Sequence, residues 1–251
     1  MNDNVKKENR RALPRFLLIL AGAAVFGGVL GFCAGWMGSS SVSEFVTETV
    51  DYLLSAVIPW LIPAVSVVLL AAAVFRYRKA RSLFNTWDGE DEAHIDRAET
   101  CLDQVLLLGA VAVVLNFFLL SASPYSTAPG GALAIAAAVI LALVVIMVIQ
   151  QKTVDLTRRI NPEKKGSVYD TKFQKKWFES CDEAEKAQIG QASYRAYRVT
   201  GTACIVLWVA LLILDFTFGI GVLPVFVVLL LWGIMQVSYI LECIRSSKRE
   251  K

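Results

Sequence analysis

Few residues in this chain could carry chemistry, and their spacing argues against most reactions. Its one histidine, His94, follows Glu90 by four positions. That spacing would set two metal ligands on one helix face, but no second histidine or paired cysteine completes a tetrahedral set. The five cysteines (Cys33, Cys101, Cys181, Cys204 and Cys243) are scattered, none in a CxxC pair. The patterns GxSxG, HExxH and GxxxxGK[ST] do not occur, which argues against serine hydrolases, zinc proteases and P-loop nucleotide binding. An intramembrane aspartyl enzyme needs two facing carboxylates, and the apolar runs hold Asp215 near the end of one and Asp103 at the edge of another, with no second carboxylate in either. The place of Asp215 before Gly219, Gly221 and Pro224 suits a turn cap or contact with outer water. The expectation is no enzyme, no cofactor and no metal.

Two acidic triplets remain as candidate contact points. Asp91-Glu92-Ala93 follows Trp87, and Asp182-Glu183-Ala184 follows Trp177; each opens a helical pattern that enters an apolar run. Asp91, Glu92, Asp182 and Glu183 are thus the candidate docking residues for a cytoplasmic partner. The match also raises a tandem duplication, pairing spans two and three with spans four and five. A different signal lies at Gly27, Gly31 and Gly35, two overlapping GxxxG units on one face. Such a face admits a second helix at close range, from this chain or from a second copy in a homo-oligomer.

The elements that position these residues follow from composition. Apolar residues make up 56% of the 251 and charged residues 19%, with a mean hydropathy of +0.54. A bilayer core about 30 Å thick takes roughly 20 apolar helical residues to cross. Six runs qualify: 16–37, 52–75, 102–120, 130–150, 199–216 and 224–241. The first has too long an apolar stretch for a signal peptide and is expected to stay as an uncleaved helix. Pro59 and Pro63 predict a kink in the second. Asn116 and Gln236 are expected to bond between helices. The reading is all-α, one polytopic membrane domain over 1–251.

Orientation follows from the basic residues. All 25 Lys and Arg fall in segments 1–15, 76–101, 151–198 and 242–251, and none in 38–51, 121–129 or 217–223. The positive-inside rule then puts both termini and the two long connections in the cytoplasm. On a polytopic chain this charge reads as topology and anionic-lipid contact, not nucleic-acid binding. Connection 76–101 turns at Asp88-Gly89 and predicts a helix running straight into the third span. Connection 151–198 breaks at Asn161-Pro162. There Phe173, Trp177, Cys181, Ala184, Gln188 and Ala192 predict one amphipathic helix, lying either on the membrane surface or against the protein's own cytoplasmic side.

The stretches KKENRRALPRFL, WDGEDEAHIDRAE and KFQKKWFESCDEAEKAQ resemble a group of bacterial integral membrane proteins known as a domain of unknown function. The similarity extends over nearly the whole chain. It implies a multi-span protein of the bacterial plasma membrane and assigns no reaction, so no functional residue is carried over. The functional expectation is a non-catalytic membrane component that binds or regulates a partner through its cytoplasmic helices. The competing expectation is a small permease or the membrane subunit of an exporter driven by a separate ATPase.

Overall fold

The computed structural model describes residues 41–127 and 131–249. Within 14–35 it also describes Pro14, Leu17, Leu18, Ala21, Gly22, Val25, Gly27, Gly28, Val29, Phe32, Cys33 and Gly35, all helical. The described chain is all-α. Helix α1 (Ser41–Tyr52) passes through a π-helical turn (Leu53–Val57) into α2 (Ile58–Asn85). Then come α3 (Glu92–Ala122), a 3-10 turn (Ser123–Tyr125), α4 (Gly131–Ile160), α5 (Phe173–Glu179), α6 (Glu183–Phe218) and α7 (Leu223–Arg249).

Five stretches are long and apolar enough to cross a bilayer: Glu44–Asn85, Glu92–Tyr125, Gly131–Ile160, Glu183–Phe218 and Leu223–Ser246. The sequence predicts six spans. The difference is the run at 16–37, much of which lies outside the described residues. The other five fall where the apolar runs put them, but the helices are longer. The 31 residues of α3 reach about 46 Å at 1.5 Å per residue, well beyond a 30 Å core. Segment 38–51, read from sequence as a plain connection, is helical from Ser41 and continuous with the next span. It contains no proline after Met37 and no glycine after Gly38 to stop it, and Glu44 in its first turn suits the helix dipole.

The π turn lies where the prolines predict a kink. Pro59 has no N–H to donate to the Ser55 carbonyl, its ordinary partner four residues back. The helix widens there, so that the Ile58 N–H reaches the carbonyl of Leu53. The Ser55 carbonyl instead accepts two bonds from Thr127, one from the backbone N–H and one from the hydroxyl, each 3.2 Å. A backbone acceptor freed by proline is thus satisfied by a distant element, as an apolar solvent demands.

Residues 48–189 form one compact unit, in which α2, α3 and α4 pack on each other. One apolar cluster joins Ile62, Leu119, Ile135 and Val139. A second, at the basic ends, joins Ala80, Cys101, Leu102 and Leu156. Between α2 and α3 the buried Asn116 donates to the Ser66 hydroxyl and, at 2.8 Å, to its own helix at the Ala112 carbonyl. The outward faces carry Val114, Phe117, Leu133 and Leu141, all exposed. An apolar exterior on this scale suits lipid, not water.

Residues 190–251 belong to a second unit. From Gly190 onward α6 meets α7 through Tyr197. Its ring stacks on Tyr239 at 4.6 Å between centroids, and its hydroxyl donates to Gln236. Both polar residues predicted to act between helices, Asn116 and Gln236, do so. The two helices are joined where the sequence predicts a break. Gly219 and Gly221 adopt φ of +63° and +82°, a region that favours glycine. Asp215 caps this turn, its carboxylate accepting from the Gly221 N–H at 2.7 Å.

Candidate functional site at the basic ends of the helices

Local chemistry explains why each helix at this end starts where it does. At the turn after α2, Asp88 accepts from the backbone N–H groups of Glu90 (3.0 Å) and Asp91 (3.2 Å). Those two donors hold its carboxyl below the usual carboxylate range. Asp91 is the N-cap of α3 and accepts from the Ala93 N–H at 3.0 Å. Trp87 closes the turn by donating its indole N–H to the Asp91 carbonyl at 3.1 Å. His94 lies 3.3 Å from the Thr86 hydroxyl and 3.8 Å from the Asp91 carboxylate. It therefore contacts turn residues, in place of Glu90, the partner its spacing suggests. Among the described residues no three His, Cys, Asp or Glu side chains group as metal ligands.

After α4 the chain breaks at Asn161, as predicted, and folds back on itself. Asn161 donates to the Glu99 carboxylate of α3 at 2.6 Å. Gln151 accepts from the Ser167 hydroxyl (3.0 Å) and the Val168 N–H (2.8 Å), pinning the returning loop to α4. Asp170 pairs with Lys176, which holds its carboxyl below the usual range. Gly166 turns with φ of +131°, and a Cβ there would lie 2.8 Å from the Phe173 ring.

The amphipathic rhythm from Phe173 to Ala192 predicts one helix, and the structure divides it. Helix α5 ends at Glu179 and α6 begins at Glu183. The physical reason is a reciprocal cap. The Glu185 N–H donates to the Asp182 carboxylate at 2.7 Å, and the Asp182 N–H donates to the Glu185 carboxylate at 3.1 Å. This D-x-x-E box satisfies two backbone donors that a fresh helix start would leave unpaired.

Beneath that cap lies Lys164, only 4% exposed. Its ammonium pairs with the Glu185 carboxylate and lies 3.7 Å from the Cys181 thiol. Burial pulls the Lys164 pKa down, but bonding to Glu185 and the influence of Cys181 outweigh it, and the net direction is up. Glu185 lies well before the apolar stretch that starts at 199. Its carboxyl is held below its ordinary range, first by the Lys164 bond. Burial pushes the Cys181 thiol up, so it stays protonated and poorly nucleophilic.

The four predicted docking residues therefore divide by role. Asp91 and Asp182 hold helix starts, so their carboxylates are engaged in the fold. Glu92 and Glu183 stand next to them and are exposed, with Glu183 3.2 Å from the Lys186 ammonium. No hydrogen bond or ion pair joins the two acidic pairs among the described residues. Of the glycine face, Gly27 and Gly35 are helical, and a Cβ on either would meet nothing within 4 Å. Gly31 lies outside the described residues.

Sequence reasoning missed three features of this end. The D-x-x-E box was legible at 182–185 as a helix start. The burial of Lys164 had no local signal. The third is a pocket of about 320 Å³ between α2 and α3, lined by Arg76, Lys79 and Leu83 on one side and Arg97, Thr100 and Gln104 on the other.

No curated protein and no solved structure matches the chain. The model of a family described as "Protein of unknown function (DUF3169)" matches residues 10–243. This chain belongs to that family.

Proposed function

We propose that this DUF3169 member is a non-catalytic, six-span protein of the bacterial plasma membrane that binds or regulates a partner through its cytoplasmic helical ends. The confinement of every Lys and Arg to four segments supports an orientation with both termini inside. The observation that carries the partner reading is the construction of those ends. Helices α2, α3, α4 and α6 continue past their apolar stretches, and caps at Asp91 and Asp182 fix where two of them start. Glu92 and Glu183 are left exposed beside those caps. Pre-organised, charged surface of this kind favours specific protein contact.

The test places a photo-crosslinking residue at the neighbouring exposed position Ala93 or Ala184 in the full chain in membranes. The expected outcome is one discrete crosslinked protein, reduced about ten-fold by the charge reversals Glu92→Lys and Glu183→Lys. Reversing the capping aspartates would confound docking with folding. If the captured protein is an ATPase whose turnover changes on adding this chain, the exporter reading replaces the regulator. Absence of any specific adduct at both positions contradicts the partner reading.

A further inference from the structure

We infer that the pocket between α2 and α3 at their basic ends binds the phosphate of an anionic membrane lipid. Arg76, Lys79 and Leu83 recur at i, i+3 and i+7 on α2, and Arg97, Thr100 and Gln104 recur at the same spacing on α3. Two helical stripes thus face each other across about 320 Å³. Three cations line it, Arg76 half-buried and Lys79 and Arg97 exposed. No carboxylate lies within 4.0 Å of Arg76, Lys79 or Arg97 among the described residues, in contrast to Lys164 and Lys176, each of which has its own acid. Arg76 is half-buried, a costly place for a guanidinium without a counter-charge.

The pocket's depth suits a headgroup. Immediately before Arg76 the α2 sequence is apolar (VVLLAAAVF), and on α3 the apolar stretch begins at Leu102 and Val105. The site therefore stands at the junction of apolar and polar helix, where lipid phosphates lie. Guanidinium groups bind phosphate oxygens bidentately, and the lysine adds a point charge. Basic pockets between spans on the inner side are suited to anionic headgroups. Assignment to the inner leaflet rests on the orientation proposed above; binding itself does not.

The test uses the full chain purified in mild detergent and offered equal phosphatidylglycerol and phosphatidylcholine, with retained lipid read by native mass spectrometry. The expected result is selective retention of phosphatidylglycerol, lowered about ten-fold in Arg76→Gln/Lys79→Gln/Arg97→Gln. Arg97→Gln alone, which breaks no hydrogen bond or ion pair among the described residues, is expected to lower it about three-fold. The exposed pair Arg78→Gln/Arg81→Gln should change it less than about two-fold. Equal loss in that control, or unchanged retention in the triple variant, would overturn the site. Displacement of the lipid by millimolar inorganic phosphate would also overturn the lipid assignment, making the pocket a site for a free oxyanion. None of these readouts depends on orientation, so failure here leaves the topology standing.

Discussion

Thr127 donates twice to the carbonyl of Ser55, a residue 72 positions earlier, through its N–H and its hydroxyl. The acceptor is the carbonyl that Pro59 cannot serve. The connection after α3 is thereby fastened to the widened turn of the preceding span. A kink that would expose a backbone acceptor to hydrocarbon becomes a fixed joint between two helices.

That joint can be tested as a cycle. Thr127→Val removes the hydroxyl and keeps the N–H, and should cost about 1 kcal/mol. Pro59→Ala restores a local donor for Ser55. In that background the cost of Thr127→Val should fall by about half or more. Thermal unfolding of the four proteins in one detergent measures the coupling, and equal costs in both backgrounds would refute the shared acceptor.

The Lys164–Glu185 pair gives stability a defined pH window. Glu185 is depressed below its ordinary 4.5, so its contribution is present above that value and lost as pH falls through the lower folded pKa. Lys164 is raised above its ordinary 10.5. Its contribution is present below that value and lost as pH rises through the higher folded pKa. The melting-temperature difference between the protein and Lys164→Met/Glu185→Gln should therefore be flat between about pH 5 and 10 and change outside it. Glu185→Gln alone, which strands a buried ammonium, should cost about 2 kcal/mol. This is less than for a fully buried pair because Glu185 is partly open to water.

Gly166 and Gly89 both have positive φ but differ in surroundings. A Cβ on Gly166 collides with Phe173, whereas one on Gly89 meets nothing within 4 Å. Gly89→Ala should cost about 1 kcal/mol of backbone strain. Gly166→Ala should cost about 2–3 kcal/mol and open the 161–172 loop to protease. Equal effects on limited proteolysis would show that the collision is relieved elsewhere.

The sequence was most informative where one residue type decides the outcome. Apolar runs located the five described spans, Asn161-Pro162 ended α4, and Gly219 with Gly221 ended α6. Pro59 announced the irregular turn. It was least informative where two signals coincided or where the partner is distant. The spacing Phe173, Trp177, Cys181 is helical on both sides of a break, so periodicity hid the division that Asp182 and Glu185 impose. Lys164 reads as a solvated loop lysine because its acid is 21 positions away. Arg76, Lys79 and Arg97 read as topology charges until α2 and α3 lie side by side. The two triplets that suggested docking proved half structural, since an aspartate just ahead of a helix is first of all a cap.

The direction of insertion underlies the partner reading and is measured most directly with two epitopes, one inserted after Ser40 and one added after Lys251. In intact spheroplasts antibody should reach the first epitope, and the second only after permeabilisation. Access to the second with protection of the first would contradict this orientation.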